Sequence, residues 1–394
     1  MTSTGHGEPW RTWQAPEIVA PDPNALHLYE VAFDLHDEIA MTRLEPSRRG
    51  ESEHYPDLPP APFSRVEHAE PDEVEQLCSL FAPVFRLFEE AFAGRTQLPP
   101  ARDWAQRWPR QMCMREAADM FAMRSRLRRG EGRVVEAGLD AIACIRLATD
   151  VLTERSLISA LIALAVQAPG RQQLAAIIPE LDAPGARACV KALQRAMVGR
   201  PTFAEVLEEG FFARRQLVVH VPAFGGSGES AEVEFPEDLS SVDPARTWHE
   251  LSRQFAAIEQ EARKPWCERE NLEFDEDPVL DALMPLHWYE GLRLAVTDAR
   301  LNVALAALAA QAWLGEQGSL PTSLDALVPD YLPEVPRDPF VEAPLRSRLM
   351  ETDGASALII YSVGPDGDDD GGADIATRVD ADSDGDIAIV LTAE

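Results

Sequence analysis

From residue 73 to about 214 apolar residues recur at helical spacing almost without interruption. The run breaks into segments of about 12–25 residues joined by short links, and links that short leave successive helices antiparallel. The pattern therefore predicts stacked helical hairpins. In "DEVEQLCSLFAPVFRLFEEAFAG" the apolar positions are Val74, Leu77, Leu80, Phe81, Val84, Phe85 and Phe88, with Gly94 as a stop. "DWAQRWPRQMCMREAADMFAMRSRLRRGEGR" opens on Asp103 as a candidate N-cap and ends near Gly130. "RVVEAGLDAIACIRLATDVL", "RSLISALIALAVQAPG", "RQQLAAIIPEL" and "PGARACVKALQRAM" follow as separate helical segments. "MFAMRSRLRRGEGRVVEAGLDAIACIRLATD" has the helix–turn–helix form of one tetratricopeptide-like unit, but no second copy recurs at a fixed period.

Around this block the chain divides into three parts. Residues 1–72 hold one amphipathic helix over 24–44, on Leu26, Val31, Leu35 and Ile39, and then a Pro-rich, charged strap. Residues 73–284 form the helical domain. Within it Leu217 to Val221 reads as a short β-like run, and "DPARTWHELSRQFAAIEQEARK" as a helix opened by Asp243 and Pro244. Residues 285–394 form a C-terminal domain beginning with a long helix. From Leu301 to Leu314 only Asn302 and Gln311 are polar, so that helix is buried on more than one side. "APLRSRLM", "ASALIIYSV" and "DIAIVL" then read as three strands. The expected fold class is mainly α, as antiparallel helical hairpins, followed by a small α+β domain with a short antiparallel sheet.

Charge narrows the function classes. Lys and Arg total 36 against 67 Asp and Glu, a formal charge of −31. Such a chain repels nucleic acid and anionic membrane surfaces, and it accommodates divalent cations and basic partners. The longest apolar run, "LISALIALAV", is too short to span a bilayer, and the N-terminus shows no basic-then-apolar leader pattern. A soluble chain without membrane insertion is expected. Cys78, Cys113, Cys144, Cys189 and Cys267 form no CxxC pair, and buried free thiols are expected. His249–Glu250 lacks the second His of a zinc helix, and "FGGSGES" lacks the Lys of a phosphate loop. Met112, Met114, Met120 and Met123 read as core, and so do the tryptophans, Trp104, Trp108 and Trp313 among them; the alternative is an exposed pair near the 103–110 helix start that serves a protein partner.

The last two strands enclose nine aspartates, Asp366 to Asp386, with Arg378 the one basic residue among them. A charge run of this kind is ordinarily a solvated loop. Here apolar strands pin it at both ends, and carboxylates on a Gly-bent loop are what calcium requires. "DADSDGD" echoes the start of an EF-hand, but Leu391 stands where that motif needs its bidentate acid, which rejects it.

"GSLPTSLDALVPDYLPEVPRDPF", "LIIYSVGPDG", "GG" and "DGDI", in that order over about residues 292–390, resemble the globular part of the major pseudopilins of type II secretion systems. The helical part is similar to uncharacterised bacterial proteins carrying such a module. The resemblance implies a long helix, a small antiparallel sheet and a structural calcium ion in the acidic loop. On the family pattern Ser362 lies at the strand end, Asp366 matches the "DG" aspartate, and Asp384 and Asp386 match the "D-x-D-I" pair. A competing alignment through "GGADI" puts Asp374 in the ligand set. Two departures bear on function. The long helix is internal here, preceded by some 290 residues, so the filament-forming role does not transfer. "DPF" is followed by "VEAPL", without the family's Gly. The combined expectation is a non-enzymatic binding or scaffold protein with a protein partner and a structural calcium site, with a location in the periplasm or envelope hinted by the resemblance. The rival is a hydrolase that uses paired carboxylates in an interdomain cleft.

Overall fold

The computed structural model describes residues 18–45, 61–63, 70–100, 110, 113–220, 244–270, 272, 274, 288–352, 355–375, 379–381 and 383–393. Among them ten α-helices precede one three-stranded antiparallel sheet. The helices are α1 (Leu26–Arg43), α2 (Pro71–Leu80), α3 (Ala82–Ala93), α4 (Cys113–Gly130), α5 (Val134–Leu152), α6 (Leu157–Ile177), α7 (Ala183–Met197), α8 (Phe203–His220), α9 (Pro244–Ala262) and α10 (Trp288–Gln317). The strands are β1 (Arg346–Thr352), β2 (Ala355–Ser362) and β3 (Ile387–Ala393), in the order β1-β2-β3. The mainly helical class with a small C-terminal sheet is as expected. Asp103, Trp104, Trp108 and Met112 lie outside the described residues.

Three local expectations differ from the structure. The segment over 72–93 is two helices with Phe81 at the junction, because Pro83 has no N–H to donate and its ring crowds the preceding turn. The two segments on either side of Pro169 are one helix, α6. Its start is held by a reciprocal capping box between Ser156 and Ser159, and its middle is held by burial against α5. The β-like run at Leu217 belongs instead to α8 as far as His220. Extending an existing helix costs far less than starting one, so Val218 and Val219 do not outweigh the preceding turns.

Helix α5 is the hub. It packs on α4, α6 and α7, and most of its residues are buried. Its two inward aspartates are both neutralised. Asp140 accepts from Arg124 (2.6 and 3.0 Å) and Arg128 (2.8 Å), while Asp150 accepts from Arg146 and from the Tyr29 hydroxyl (2.5 Å). Around α1, α3 and α4 the core is aromatic, with Tyr29, Phe33, Phe63, Phe81, Phe85, Phe88 and Phe121 all buried and meeting edge-on or tilted.

Helix α10 joins the helices to the sheet. One side meets α6 and α7, another meets β2 and β3. A single apolar cluster runs from Ile142, Ile145, Leu174 and Leu193 through Leu301, Leu305 and Leu308 to Leu358, Ile360 and Leu391. The two polar residues of the apolar stretch each find a backbone carbonyl. Asn302 donates to Arg337 (2.8 Å) and Gln311 donates to Leu181 (2.8 Å).

Candidate functional site

Strands β2 and β3 pair from Ser356↔Ala393 to Ser362↔Ile387, so both ends of the acidic segment leave the same end of the sheet. The loop is ordered by its own backbone. The Asp386 N–H donates to the Ala373 carbonyl (2.7 Å), and the Ile375 N–H donates to the Asp386 carbonyl (2.8 Å). Gly364 and Gly385 face each other with positive φ. A Cβ on Gly364 would lie 2.3 Å from the Gly385 carbonyl oxygen, so only glycine fits.

Carboxylate oxygens of Asp366, Asp368, Asp370 and Asp384, all exposed, come within 4.8 Å of one another. Four like charges that close repel, and Asp370 has its pKa raised by desolvation, then by Asp368, Asp384, Asp366 and Asp369. Asp366 also orders the loop, accepting from the N–H groups of Asp368 (3.4 Å) and Gly385 (3.2 Å). Asp369 turns to the other side, where it pairs with Arg346 and accepts from the Tyr361 hydroxyl (3.0 Å). Alternation along the extended run separates Asp369 from Asp368 and Asp370.

Of the residues singled out from the sequence, Asp366 and Asp384 belong to this quartet. Ser362 is buried, and its hydroxyl donates to Asp338 (2.8 Å). Asp374 accepts from the Ala388 N–H (3.2 Å) at the start of β3. Asp386 is fully buried; its Oδ2 accepts from the Gly372 N–H (2.6 Å), while its Oδ1 has no partner. Burial raises the Asp386 carboxyl to about 6, with Asp369, Asp370 and Asp366 adding to the rise. Asp368 and Asp370 were missed, although the D-x-D-x-D spacing at 366, 368 and 370 is a period-two signal that would have found them.

Below the loop, Asp338 ties the site to the rest of the domain. Its Oδ1 accepts from Phe340 N–H (3.0 Å) and Ser362, and its Oδ2 accepts from Val363 N–H (2.8 Å). Residues 266–268 clasp the same loop, since Trp266 and Cys267 donate their N–H groups to the carbonyls of Pro339 and Phe340 (3.2 and 3.0 Å). Cys113, Cys144 and Cys189 are buried free thiols as expected, whereas Cys267 is exposed beside the acidic loop, 3.4 Å from the Pro365 carbonyl. Its short 3₁₀ turn sits on the surface, so no apolar helix face covers it.

A cleft of about 660 Å³ opens between the start of α8, the end of α9, α10 and the loop at 337–342. It is lined by Arg263, Lys264, Arg269 and Arg337 with Asp298, Asp338 and Glu342. Asp338 has its pKa raised by burial, and all its bonds go to the loop and strand end just described. Among the described residues no helix is long and apolar enough to cross a membrane. No protein-family model, curated protein or solved structure matches the chain.

Proposed function

We propose that the acidic loop is a structural site for one calcium ion, and that the protein is a non-enzymatic binding or scaffold protein whose C-terminal sheet the ion closes. One observation carries the reading: beside the quartet lies a buried carboxylate, Asp386, with an unpartnered oxygen. A lone acidic cluster on a surface is ordinarily solvated, but water does not reach Asp386. A divalent ion drawn to Asp366, Asp368, Asp370 and Asp384 relieves both the mutual repulsion and the buried charge. Calcium suits the site better than magnesium, because it takes six to eight oxygens in flexible geometry where magnesium demands a near-octahedral set. The helical hairpins supply the surface for a protein partner. The pseudopilin resemblance supports the ion but not a filament role.

The hydrolase reading needs two carboxylates with displaced pKa values facing one cleft. In the cleft at α8–α10 the one carboxylate with a raised pKa is Asp338, whose oxygens are engaged by Phe340, Ser362 and Val363. That weighs toward the binding reading.

The test is the melting midpoint in chelator, then with calcium, then with magnesium, repeated on Asp368→Ala/Asp384→Ala. A ligand that binds the folded state raises its stability by mass action. Calcium should raise the midpoint of the wild type and leave the double variant unmoved. A wild type indifferent to both ions would make the loop a solvated one and remove the ion from the proposal.

A further inference from the structure

The hairpin of α4 and α5, which stood out in the sequence, carries a groove that the calcium reading leaves unused. A cavity of about 310 Å³ opens among α3, α4, α5 and α7. That lies at the lower end of the ~300–1,000 Å³ range of small-ligand sites. Its apolar lining includes Phe92, Phe121, Leu139, Ile142, Ala192 and Ala196. Leu139 is a large apolar side chain left 39% exposed, on a helix most of whose residues are buried. In a chain of formal charge −31, four arginines line the same cavity: Arg124, Arg128, Arg146 and Arg195.

Three of the four are matched from within. Arg124 pairs with Asp140 and Glu89, and Arg128 with Asp140. Arg146 pairs with Asp150 and also donates to the Gly94 carbonyl (2.9 Å). The other lining carboxylate, Glu136, pairs with Arg133. These bonds fix the arginines without using all their donors. Arg128 and Arg146 keep unused nitrogens, and none of those is buried. Arg195 is different. It is exposed in the last turn of α7, and among the described residues its side chain makes no hydrogen bond or ion pair. The lining therefore sets one unmatched positive charge beside an apolar floor. We infer that this groove binds a small monocarboxylate with an alkyl or aryl body, its carboxylate at Arg195 and its body over Leu139 and the two phenylalanines. The forked guanidinium matches a carboxylate through paired charge-assisted bonds, and the body gains by leaving water. A neutral apolar molecule would leave Arg195 to solvent. A dianion would bring a second charge, for which the paired arginines have no cation to spare. The groove shares no residue with the acidic loop, and neither proposal depends on the other.

Calorimetric titration of the full chain in chelator with octanoate, and separately with its neutral analogue 1-octanol, tests the inference. The wild type should bind octanoate about tenfold more tightly than octanol, the equivalent of one charge-assisted bond. Arg195→Gln should bring octanoate down to the level of octanol. It should leave the melting midpoint unchanged, because an exposed side chain without a partner is lost. Leu139→Gln, also at an exposed position, should weaken both probes several-fold. A wild type that does not bind octanoate, or that binds octanol as tightly, would overturn the site. So would either variant if it bound octanoate as tightly as the wild type does.

Discussion

His36 shows how much a single residue's role depends on distant neighbours. It is buried on α1, with Nδ1 3.1 Å from Asp37 and Nε2 3.7 Å from Glu116 on α4. Burial lowers its pKa, but the bonds and charges of Asp37 and Glu116 outweigh that and leave it raised. A histidine whose pKa is raised by folding stabilises fully below its ordinary value of about 6.5, and that contribution is lost as pH rises through the folded value. The melting midpoint should therefore fall as pH rises above neutrality, and His36→Gln should flatten that slope. An unchanged slope in the variant would assign the dependence elsewhere. Asp338 is the second case. Asp338→Ala leaves Phe340, Ser362 and Val363 without their acceptor, and it should cost about 3 kcal/mol in denaturant unfolding. Neither residue stood out in the sequence, because the groups that define their roles lie far along the chain: Glu116 for His36, and Ser362 and Val363 for Asp338. Asp366 and Asp384 did stand out, because dense carboxylate between two strands is visible as composition alone.

At the scale of elements, helix existence was legible and helix continuity was not. The apolar stripe of α5 and the turn at Gly130–Gly132 are local features, and the hairpin of α4 and α5 follows from them. Helix α6 is different. Pro169 and Gly170 read as a stop, yet Gly170 is the point of closest approach to α5, where a Cβ would lie 2.3 Å from the Ala141 carbonyl oxygen and 2.5 Å from Cys144 Cβ. Helix propensity by itself favours Ala over Gly by about 1 kcal/mol. Packing predicts the reverse, so Gly170→Ala should destabilise by about 2–3 kcal/mol through overpacking. A variant as stable as the wild type would mean that α5 and α6 separate readily at that point. The sheet lies at the other extreme. Its strands fell where β-branched and apolar runs placed them, and the pairing of Ser362 with Ile387 follows from their antiparallel register.

For the whole molecule the decisive element is α10. The apolar cluster that contains Leu301, Leu305 and Leu308 includes both Leu193 of α7 and Leu358 of β2, so it runs across the division expected at residue 284. Each such side chain is worth roughly 1.5–3 kcal/mol when fully buried. A fragment of residues 285–394 would expose the side of α10 that meets α6 and α7, and it should be aggregated or lack a cooperative melt, while the full chain keeps one. A monomeric fragment with a sharp transition would mean that the sheet side of α10 suffices. Periodicity and composition by themselves determined that the chain is mainly helical, that a small sheet closes it, that one helix is buried on two sides, and that carboxylates crowd one loop. These are properties of neighbouring residues, and local spacing carries them. Tertiary structure alone decided which aspartates converge, that Ser362 serves Asp338, and that α6 runs through its proline. Those depend on contacts between residues far apart in the chain, which are set by how whole helices pack and leave no periodic trace in the sequence.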